Sequence, residues 1–289
     1  MKIAIGCTRM LGEDPTGADV ITLAQRAEEL GFSSFSLGDH IVMPTTFDAS
    51  VYPAGSGDYL ANSPWYDSFV LLAAVAGATR TIRLGTSVAV VPYRPPVPQA
   101  QAIATLDFMS GGRFWYGIGL GWMGEEFEAL EVPMSERAGR TRETIEIMKQ
   151  LWSGDPSPYQ GRYFKFPGGR IHPKPVQKPY PPIIVGGDGM PAYKRIVELG
   201  DGFQFNFKTL PEFKEMLDQL GPMMKAAGRD LSTLTMQLAS TEVDLVREHR
   251  SEFSEYEALG LQEIVLSPKC ASPSEGLEQL ERLARDFLD

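Results

Sequence analysis

Short apolar runs of strand length alternate with segments of helical periodicity along the whole chain. Most of the runs are uniformly apolar, which is typical of parallel strands covered by helices. Strands that alternate with helices favour an α/β fold, a (β/α)8 barrel, with an open doubly wound sheet as the alternative. The eight predicted strands are KIAIGC, SSFSL, IRLGTSVAVV, RFWYGIG, PIIVG, GFQFN, TLTMQLA and EIVLS, beginning at Lys2, Ser33, Ile82, Arg113, Pro182, Gly202, Thr233 and Glu263.

The intervening segments have helical patterns with recognisable ends. Residues 18–31, ADVITLAQRAEELG, place their apolar residues on one face and stop at Gly31, a residue that favours helix ends. The last helix is predicted to begin at Pro273, with Ser272 as its capping residue and Glu275 three positions after the cap. Helices of this kind between the strands fit the barrel prediction.

Two longer segments interrupt the alternation. Residues 41–64 follow the second predicted strand and are rich in Pro, Gly, Ser, Thr and Asp, and residues 153–181 follow the fourth helix and contain seven prolines. Loops of this length in a compact domain usually serve binding. Aromatic residues predict a small hairpin in the second segment. Because the chain shows no interdomain linker, residues 1–289 are predicted to form one domain, with 153–181 as an insertion within it.

Composition excludes several classes of protein. With 43% hydrophobic residues, the 289-residue chain can bury a sizeable core. Its net charge of −10 argues against a nucleic-acid or anionic-membrane partner. It has no apolar run of about eighteen residues that would span a membrane. The N-terminal run is interpreted as a strand and not as a signal peptide, so we expect a cytoplasmic protein that acts on a small molecule.

The two cysteines, Cys7 and Cys270, are too few for a disulfide framework or a zinc site. They are interpreted as reduced cytosolic thiols. A redox pair is the alternative, because the first and last strands of a closed barrel are neighbours.

A literal G-x-G-x-x-G sequence, Gly119 to Gly124, follows the fourth predicted strand. A dinucleotide site would need a second strand that ends in an acidic residue about twenty residues later. That region reads ERAGRTRETIEIMK and is helical. We therefore reject a dinucleotide site and predict that Gly117, Gly119 and Gly121 let a flat ligand approach the end of this strand, with Leu120 and Gly121 as candidate cofactor-binding residues.

In a (β/α)8 barrel the chemistry lies at the C-terminal ends of the strands. The second predicted strand ends in Asp39 and His40, which would point to opposite faces if the strand continued. A histidine donates or accepts a proton near neutral pH, so His40 is a candidate catalytic residue, with Asp39 beside it as a second. A capping aspartate and a packed histidine are the alternative. Trp65 and Trp122 fall at predicted loop or strand-end positions and are candidates for a wall that binds a planar or apolar molecule.

The three histidines, His40, His172 and His249, have no H-x-H or H-E-x-x-H spacing. No metal site is predicted from them. His172 is interpreted as a loop residue and His249 as solvated helix surface.

The strongest local signal is VGGDGMPAYKRIVELG, in which a strand, a glycine-rich turn and a helix start follow one another. Backbone N–H groups and the positive end of a helix dipole suit a phosphate. A simple tight turn is the alternative, and the G-K-[ST] ending of a P-loop is absent. The predicted phosphate-binding residues are Gly186, Gly187, Asp188, Gly189 and Met190.

The chain resembles the bacterial luciferase-like flavin and deazaflavin oxidoreductases over essentially its full length. The segments that carry the resemblance are AEELGFSSFSLGDHI, ATRTIRLGTSVAVVPYRPPVPQAQAIATLDFMSGGRFWYGIGLGWMGEEFEAL, IHPKPVQKPYPPIIVGG and ELGDGFQFN. The resemblance implies a (β/α)8 barrel, often a homodimer, with a flavin-type ring at the strand ends and its phosphate in the turn at 186–190. It also implies a cis peptide bond between Ser87 and Val88, in a bulge that backs the ring.

The G-D-H-I and G-x-G-W-x-x-E-E-F patterns are most similar to the branch of this family that uses the deazaflavin coenzyme F420. In that branch the residue matching Asp39 lies near the ring and the one matching His40 faces the substrate, and a hydride is transferred at C5 of the ring. The resemblance implies an F420-dependent oxidoreductase with a small organic substrate. The alternatives are a reduced-FMN-dependent monooxygenase on the same barrel and a flavin-binding barrel without catalysis.

Two positions depart from the sugar-phosphate dehydrogenases of that branch. Trp122 stands where those members carry a proton-donating glutamate, and Pro44 stands where they carry a tryptophan. Glucose-6-phosphate dehydrogenase activity is therefore not carried over. Glu125 and Glu126, which are nearby in the sequence, are interpreted as charges that favour a helix start.

Overall fold

The computed structural model describes residues 1–45, 63–154 and 157–288. Residues 46–62, which make up most of the insertion predicted after the second strand, lie outside the described residues. The described strands are β1 (Lys2–Gly6), β2 (Ser34–Leu37), β3 (Arg83–Thr86), β4 (Ala89–Val90), β5 (Phe114–Gly119), β6 (Tyr159–Gln160), β7 (Lys165–Phe166), β8 (Ile183–Gly186), β9 (Gly202–Asn206), β10 (Thr235–Ser240) and β11 (Leu261–Leu266).

Eight parallel strand positions close into a barrel. The order around it is β3, β2, β1, β11, β10, β9, β8 and β5, and pairing between β3 and β5 closes the circle. The short strand β4 continues the third position and also pairs with β5. The predicted (β/α)8 barrel is confirmed, and the open doubly wound sheet is excluded.

The third strand position is interrupted at a cis peptide bond between Ser87 and Val88. The sequence predicted one continuous strand from Ile82, whereas β3 ends at Thr86 and β4 begins at Ala89. The cis bond that the family resemblance implied is confirmed.

Helices cover the outside of the barrel. The predicted cap of the last helix is confirmed, because Ser272 Oγ accepts a hydrogen bond from the Glu275 N–H at 3.2 Å. The described α-helices are α1 (Gly17–Glu29), α2 (Ser68–Ala78), α3 (Pro96–Ser110), α4 (Gly124–Ala129), α5 (Arg137–Ser153), α6 (Gly189–Leu199), α7 (Leu210–Ala226), α8 (Val243–Glu248), α9 (Phe253–Ala258) and α10 (Pro273–Phe287).

The two faces of the barrel strands have different surroundings. Outward-facing residues such as Ile3 and Phe35 belong to the large buried core that includes the helices. On the inner face, Trp115 packs so closely against Gly85 that a Cβ atom on the glycine would lie 1.9 Å from Trp115 Cε2. The indole therefore fills interior space that a larger residue at position 85 would need.

The segment 153–181, predicted as an insertion, contains a small hairpin. Strands β6 and β7 are antiparallel and pair Tyr159 with Phe166, which confirms the predicted hairpin. The buried carboxylate of Glu143 in α5 accepts the backbone N–H of Arg162 at 2.7 Å. This contact, between α5 and the hairpin, fixes the segment on the outside of the barrel.

Cys7 and Cys270 are buried free thiols. Burial raises the pKa of Cys270 to about 11 and also raises the pKa of Cys7. The thiolate is the reactive form of cysteine, so neither residue has the character of a nucleophile.

Candidate active site

A cavity of about 700 Å³ opens at the C-terminal ends of the barrel strands. The residues predicted for the site that line this cavity are Asp39, His40, Trp65, Ser87, Val88, Gly121, Trp122, Gly186 and Gly187. Those that adjoin them in sequence without lining it are Leu120, Asp188, Gly189 and Met190. The structure thus brings most of these residues to one cavity, and their individual roles stay predictions.

His40 is held in the cavity wall by a buried carboxylate. His40 Nδ1 lies 2.6 Å from Glu126 Oε2, and the Glu126 side chain has no exposed surface. The Ile41 N–H donates to Glu126 Oε1 and the Tyr93 hydroxyl donates to Oε2, both at 2.8 Å. Glu126 does lie in the first turn of α4, as its interpretation as a helix-start charge requires, and its buried carboxylate also binds His40 and the loop after β2.

This contact defines the state of the imidazole. Burial alone would raise the pKa of Glu126, but hydrogen bonds from His40, Ile41 and Tyr93 outweigh it and lower that pKa below its ordinary value of 4.5. An ionised carboxylate only accepts hydrogen bonds, so His40 Nδ1 carries a proton. In the neutral imidazole Nε2 is then the acceptor, and it is the nitrogen left for a ligand. His40 can take up a proton there, and Glu126 stabilises the imidazolium that results.

Two tryptophans flank the imidazole. The ring centroids of His40 and Trp65 are 4.3 Å apart, and those of His40 and Trp122 are 6.2 Å apart, both in edge-on geometry. Trp122 is 45% exposed, so much of its indole is accessible at the mouth of the cavity. The wall around His40 is therefore aromatic, which suits a substrate with an apolar or planar part.

Asp39 points away from this wall into a buried ion pair. Arg94 Nη1 and Nη2 donate to the two carboxylate oxygens of Asp39 at 2.7 and 2.8 Å, and the Val90 N–H donates to Oδ2 at 3.1 Å. Burial alone would lower the pKa of Arg94, but Asp39 outweighs it and raises that pKa. Arg94 follows the third predicted strand, but nothing in the sequence assigned it a role in the site. The catalytic role of Asp39 stays a prediction, and both of its oxygens are bound in this structure.

The cis peptide bond forms part of the cavity floor. Val88 lies between two glycines: a Cβ atom on Gly119 would be 2.6 Å from Val88 Cγ2, and one on Gly186 would be 2.7 Å from Val88 Cγ1. Both positions therefore need glycine for Val88 to keep its place. Gln204, which the sequence analysis missed, lines the same floor and accepts the Ser87 hydroxyl at 2.5 Å.

The opposite wall is the glycine-rich turn between β8 and α6. Asp188 caps α6 by accepting the Gly189 N–H at 2.8 Å, and Lys208 Nζ lies 2.8 Å from the other Asp188 oxygen. Arg195 is close beneath the turn, because a Cβ atom on Gly187 would be 3.0 Å from its Nη2. Burial, and then the neighbouring positive charge of Arg137, lower the pKa of Arg195. Asp188 and Lys208 offset each other's charge, so Arg195 supplies the net positive charge beside this wall.

Neither metal ligation nor a membrane span is indicated in residues 1–45, 63–154 and 157–288. Within these ranges, no three His, Cys, Asp or Glu side chains are grouped closely enough to hold a metal ion. No helix of these ranges has the length and apolar character of a membrane span. His172 is exposed, and His249 Nδ1 lies 3.2 Å from Glu252.

A closed parallel barrel with an ionisable pair in a cavity at its strand ends defines a (β/α)8-barrel enzyme. The chain belongs to the luciferase-like monooxygenase family, whose sequence profile matches residues 2–262. This confirms the family resemblance seen in the sequence, and the protein is an oxidoreductase of this family.

Two relatives cover most of the chain. An uncharacterized protein of Mycobacterium tuberculosis is 31% identical over 90% of this chain and 91% of its own length. An F420-dependent glucose-6-phosphate dehydrogenase of Nakamurella multipartita is 30% identical over 93% of this chain and 76% of its own length.

Solved structures share the fold. An F420-dependent secondary alcohol dehydrogenase in complex with an F420–acetone adduct has a TM-score of 0.76 and 18% identity, covering 100% of both chains. A type II Baeyer–Villiger monooxygenase of Pseudomonas putida in complex with FMN has a TM-score of 0.71 and 15% identity, covering 99% of this chain and 97% of its own. At these identities the likeness establishes the barrel alone.

Proposed function

We propose that the protein transfers a hydride between coenzyme F420 and a small organic substrate, with His40 as the group that takes or returns the proton. The observation that carries this proposal is the contact between His40 and the buried Glu126 in the cavity wall. The G-D-H-I pattern and the 30% identity to an F420-dependent relative support the choice of F420.

The cavity residues fit a planar ring with an anionic tail. The floor has the flat backbone of Ser87 and Val88, with glycines at the two positions where a Cβ atom would displace Val88. The turn at 186–189 has the net positive charge of Arg195 beside it, in a chain of net charge −10. These residues would hold the ring and its phosphate, and FMN has the same two features.

Bound F420 would supply the hydride acceptor or donor. Oxidation of an alcohol also releases the hydroxyl proton, and Nε2 of neutral His40 takes it. In the reverse direction the imidazolium returns this proton to the carbonyl oxygen. Glu126 keeps Nδ1 of His40 protonated in both directions of the reaction and stabilises the imidazolium. Asp39, held by Arg94, positions the backbone at Val90 beside the cavity floor.

The substrate class follows from the aromatic wall. Trp65 and Trp122 flank His40, and Trp122 occupies the position of the proton-donating glutamate in the sugar-phosphate dehydrogenases. We therefore propose an apolar or ring-bearing alcohol or carbonyl compound. A substrate screen dominated by phosphorylated sugars would contradict this part of the proposal.

The first experiment is an anaerobic titration of the cofactor-free protein with coenzyme F420 and, separately, with FMN, following ring fluorescence. We expect F420 to bind more tightly than FMN. Preference for FMN together with substrate-dependent oxygen uptake would establish a monooxygenase and overturn the proposal. Binding of a ring without turnover of any alcohol or carbonyl compound would indicate a binding protein.

The role of His40 is tested by the H40A variant. We expect turnover to fall by about 10²- to 10⁴-fold, because general acid–base catalysis contributes that much, while the Kd for F420 changes little. The exposed His172 provides a matched control, and H172A should behave as wild type. Unchanged turnover in H40A would remove the residue from the mechanism.

We further infer a homodimer, which the family resemblance implies, and a cytoplasmic location, which the sequence predicted. Light scattering coupled to gel filtration should give twice the mass of the 31.8 kDa chain. A single chain mass would overturn the dimer. Fractionation of the source cells should place the protein with the cytoplasmic enzymes.

A further inference from the structure

A series of buried polar side chains connects the cavity floor to the barrel interior. The Ser87 hydroxyl donates to Gln204 Oε1 at 2.5 Å, Gln204 Nε2 donates to Gln237 Oε1 at 3.2 Å, and Gln237 Nε2 donates to Glu263 Oε2 at 2.5 Å. Gln204, Gln237 and Glu263 are register partners on β9, β10 and β11. None of the three is more than 5% exposed. We call these four residues the interior polar chain.

The interior polar chain has a direction, and Glu263 sets it. A carboxylate only accepts hydrogen bonds, so Gln237 must turn its NH2 group toward Glu263 and its oxygen toward Gln204. Gln204 must then turn its NH2 group toward Gln237 and its oxygen toward Ser87. The other Glu263 oxygen is 2.6 Å from the Ser33 hydroxyl, but the single proton of that hydroxyl also faces the Ile3 carbonyl oxygen at 2.8 Å, so the direction rests on the contact with Gln237. Reversing any one link would leave two acceptors or two donors facing each other in a buried site.

The consequence for the cavity lies at Ser87. A hydroxyl has a single proton, and here that proton is committed to Gln204. Toward a ligand on the cavity floor, Ser87 Oγ can therefore only accept a hydrogen bond.

We propose that Glu263 is a positioning residue that acts through Gln237 and Gln204 to make Ser87 a hydrogen-bond acceptor, and never a donor, toward the cofactor ring. The inference rests on the proposed function in that it needs a flavin-type ring on this floor. Two-electron reduction of such a ring adds a hydride and one proton, so the reduced ring has at least one more N–H donor: one in a deazaflavin, where the hydride goes to carbon, and two in a flavin. An acceptor-only floor therefore favours the reduced ring over the oxidised ring.

The test is the E263Q variant, in which the new amide can accept or donate and no longer sets the direction of the chain. The dissociation constants of oxidised and reduced F420 are measured anaerobically, at slightly acidic pH where the reduced ring keeps its added proton. We expect the ratio of the oxidised to the reduced Kd to fall by about 3- to 10-fold, the size of one neutral hydrogen bond. If F420 does not bind, the same ratio is measured with FMN.

Two further variants separate positioning from a merely structural effect. In an S87A background the E263Q change should no longer alter the ratio, because the hydroxyl through which Glu263 acts is gone. Q237L breaks the chain in its middle and should shift the ratio in the same direction as E263Q, which provides the test should E263Q fail to fold. The matched control is E143Q, a change at a buried glutamate outside the barrel, which should leave the ratio unchanged.

A measurement without ligand tests whether Glu263 is ionised, which the inference requires. Infrared difference spectra between wild type and E263Q should show the stretch of an ionised carboxylate, and the stretch of a protonated acid would overturn the inference. An unchanged Kd ratio in folded E263Q, with the ring bound, overturns this inference alone. Failure of both rings to bind wild type overturns the proposed function and this inference together.

Discussion

The two walls of the cavity differ in that one is formed by side chains and the other mainly by backbone. The His40 wall consists of side chains: His40, Glu126, Trp65 and Trp122, with the carboxylate fully buried. The glycine-turn wall, at 186–189, consists mainly of backbone, and its charged side chains, Asp188 and Lys208, are partly exposed. Buried ionisable groups hold a proton at a fixed place, whereas backbone N–H groups and exposed charges attract an anion.

From this difference we expect the His40 wall to serve the chemical step and the glycine-turn wall to serve cofactor binding. A change in the His40 wall should lower turnover more than cofactor affinity, and a change in the glycine-turn wall should do the reverse. If the walls do not separate in this way, the assignment of one to proton transfer and the other to the cofactor is wrong.

After H40A, the largest effect in this comparison is expected for E126Q. Without the carboxylate, the imidazolium loses its neutralising partner and the amide no longer requires a proton on Nδ1, so turnover should fall by about 10- to 100-fold. The Kd for F420 should change by less than about threefold. Steady-state kinetics measure the turnover, and an anaerobic fluorescence titration measures the Kd.

Glu128 lies in the same short helix and is exposed, so E128Q is the matched control and should have wild-type kinetics. An E126Q variant with wild-type turnover would show that Glu126 only supports the loop at Ile41.

A smaller effect is expected for G187A in the opposite wall. Gly187 has φ +115°, which L side chains rarely adopt, and its Cβ atom would meet Arg195 Nη2 at 3.0 Å. The turn should shift, and the Kd for F420 should rise by about tenfold, whereas turnover at saturation should stay near wild type. G221A in α7, where the nearest atom to a new Cβ is 3.8 Å away, is the control. Loss of turnover without loss of affinity in G187A would contradict the comparison.

The sequence predicted the glycine-turn wall better than the His40 wall. The turn is local: its strand, glycines and helix start are consecutive in the chain, so composition and order are enough to find it. Glu126 contacts His40 across 86 positions of sequence, and a glutamate in a first helical turn has an ordinary explanation as a helix-start charge.

The barrel itself was predictable because eight apolar runs alternated with helices. The interior polar chain was not identified, although a signal was present. Gln204 and Gln237 each interrupt an apolar strand between two apolar neighbours, and Glu263 directly precedes the apolar run of the last strand. Polar residues of this kind face a barrel interior, but their register across β9, β10 and β11 exists only once the strands are paired.

The contribution of Glu126 to the free energy of unfolding should decrease as the pH falls. The pKa of Glu126 is lower in the folded protein than its ordinary value of 4.5, so its ionisation favours folding above that pH. This contribution is lost as the pH falls through the lower, folded value. E126Q should cost roughly 1–3 kcal/mol in the free energy of unfolding at neutral pH, and less at acidic pH. Urea unfolding of both proteins at several pH values measures the difference, which a pH-independent cost would contradict.

The smallest effects are expected at the pair between Asp188 and Lys208, which are 44% and 17% exposed. Surface pairs contribute at most about 1 kcal/mol, so the stability of K208A and of D188N should barely differ from that of the wild type.

The two variants should change the Kd of an anionic cofactor in opposite directions. K208A removes a positive charge and leaves Asp188 uncompensated beside the turn, which should raise the Kd by about two- to fivefold at low salt. D188N removes the negative charge that opposes a phosphate and should lower the Kd by a similar factor, despite the loss of its charge at the cap of α6. Both shifts should shrink as the salt concentration rises. If both variants weaken binding equally, the pair serves only to shape the turn, and the positive charge that distinguishes this wall resides in Arg195 alone.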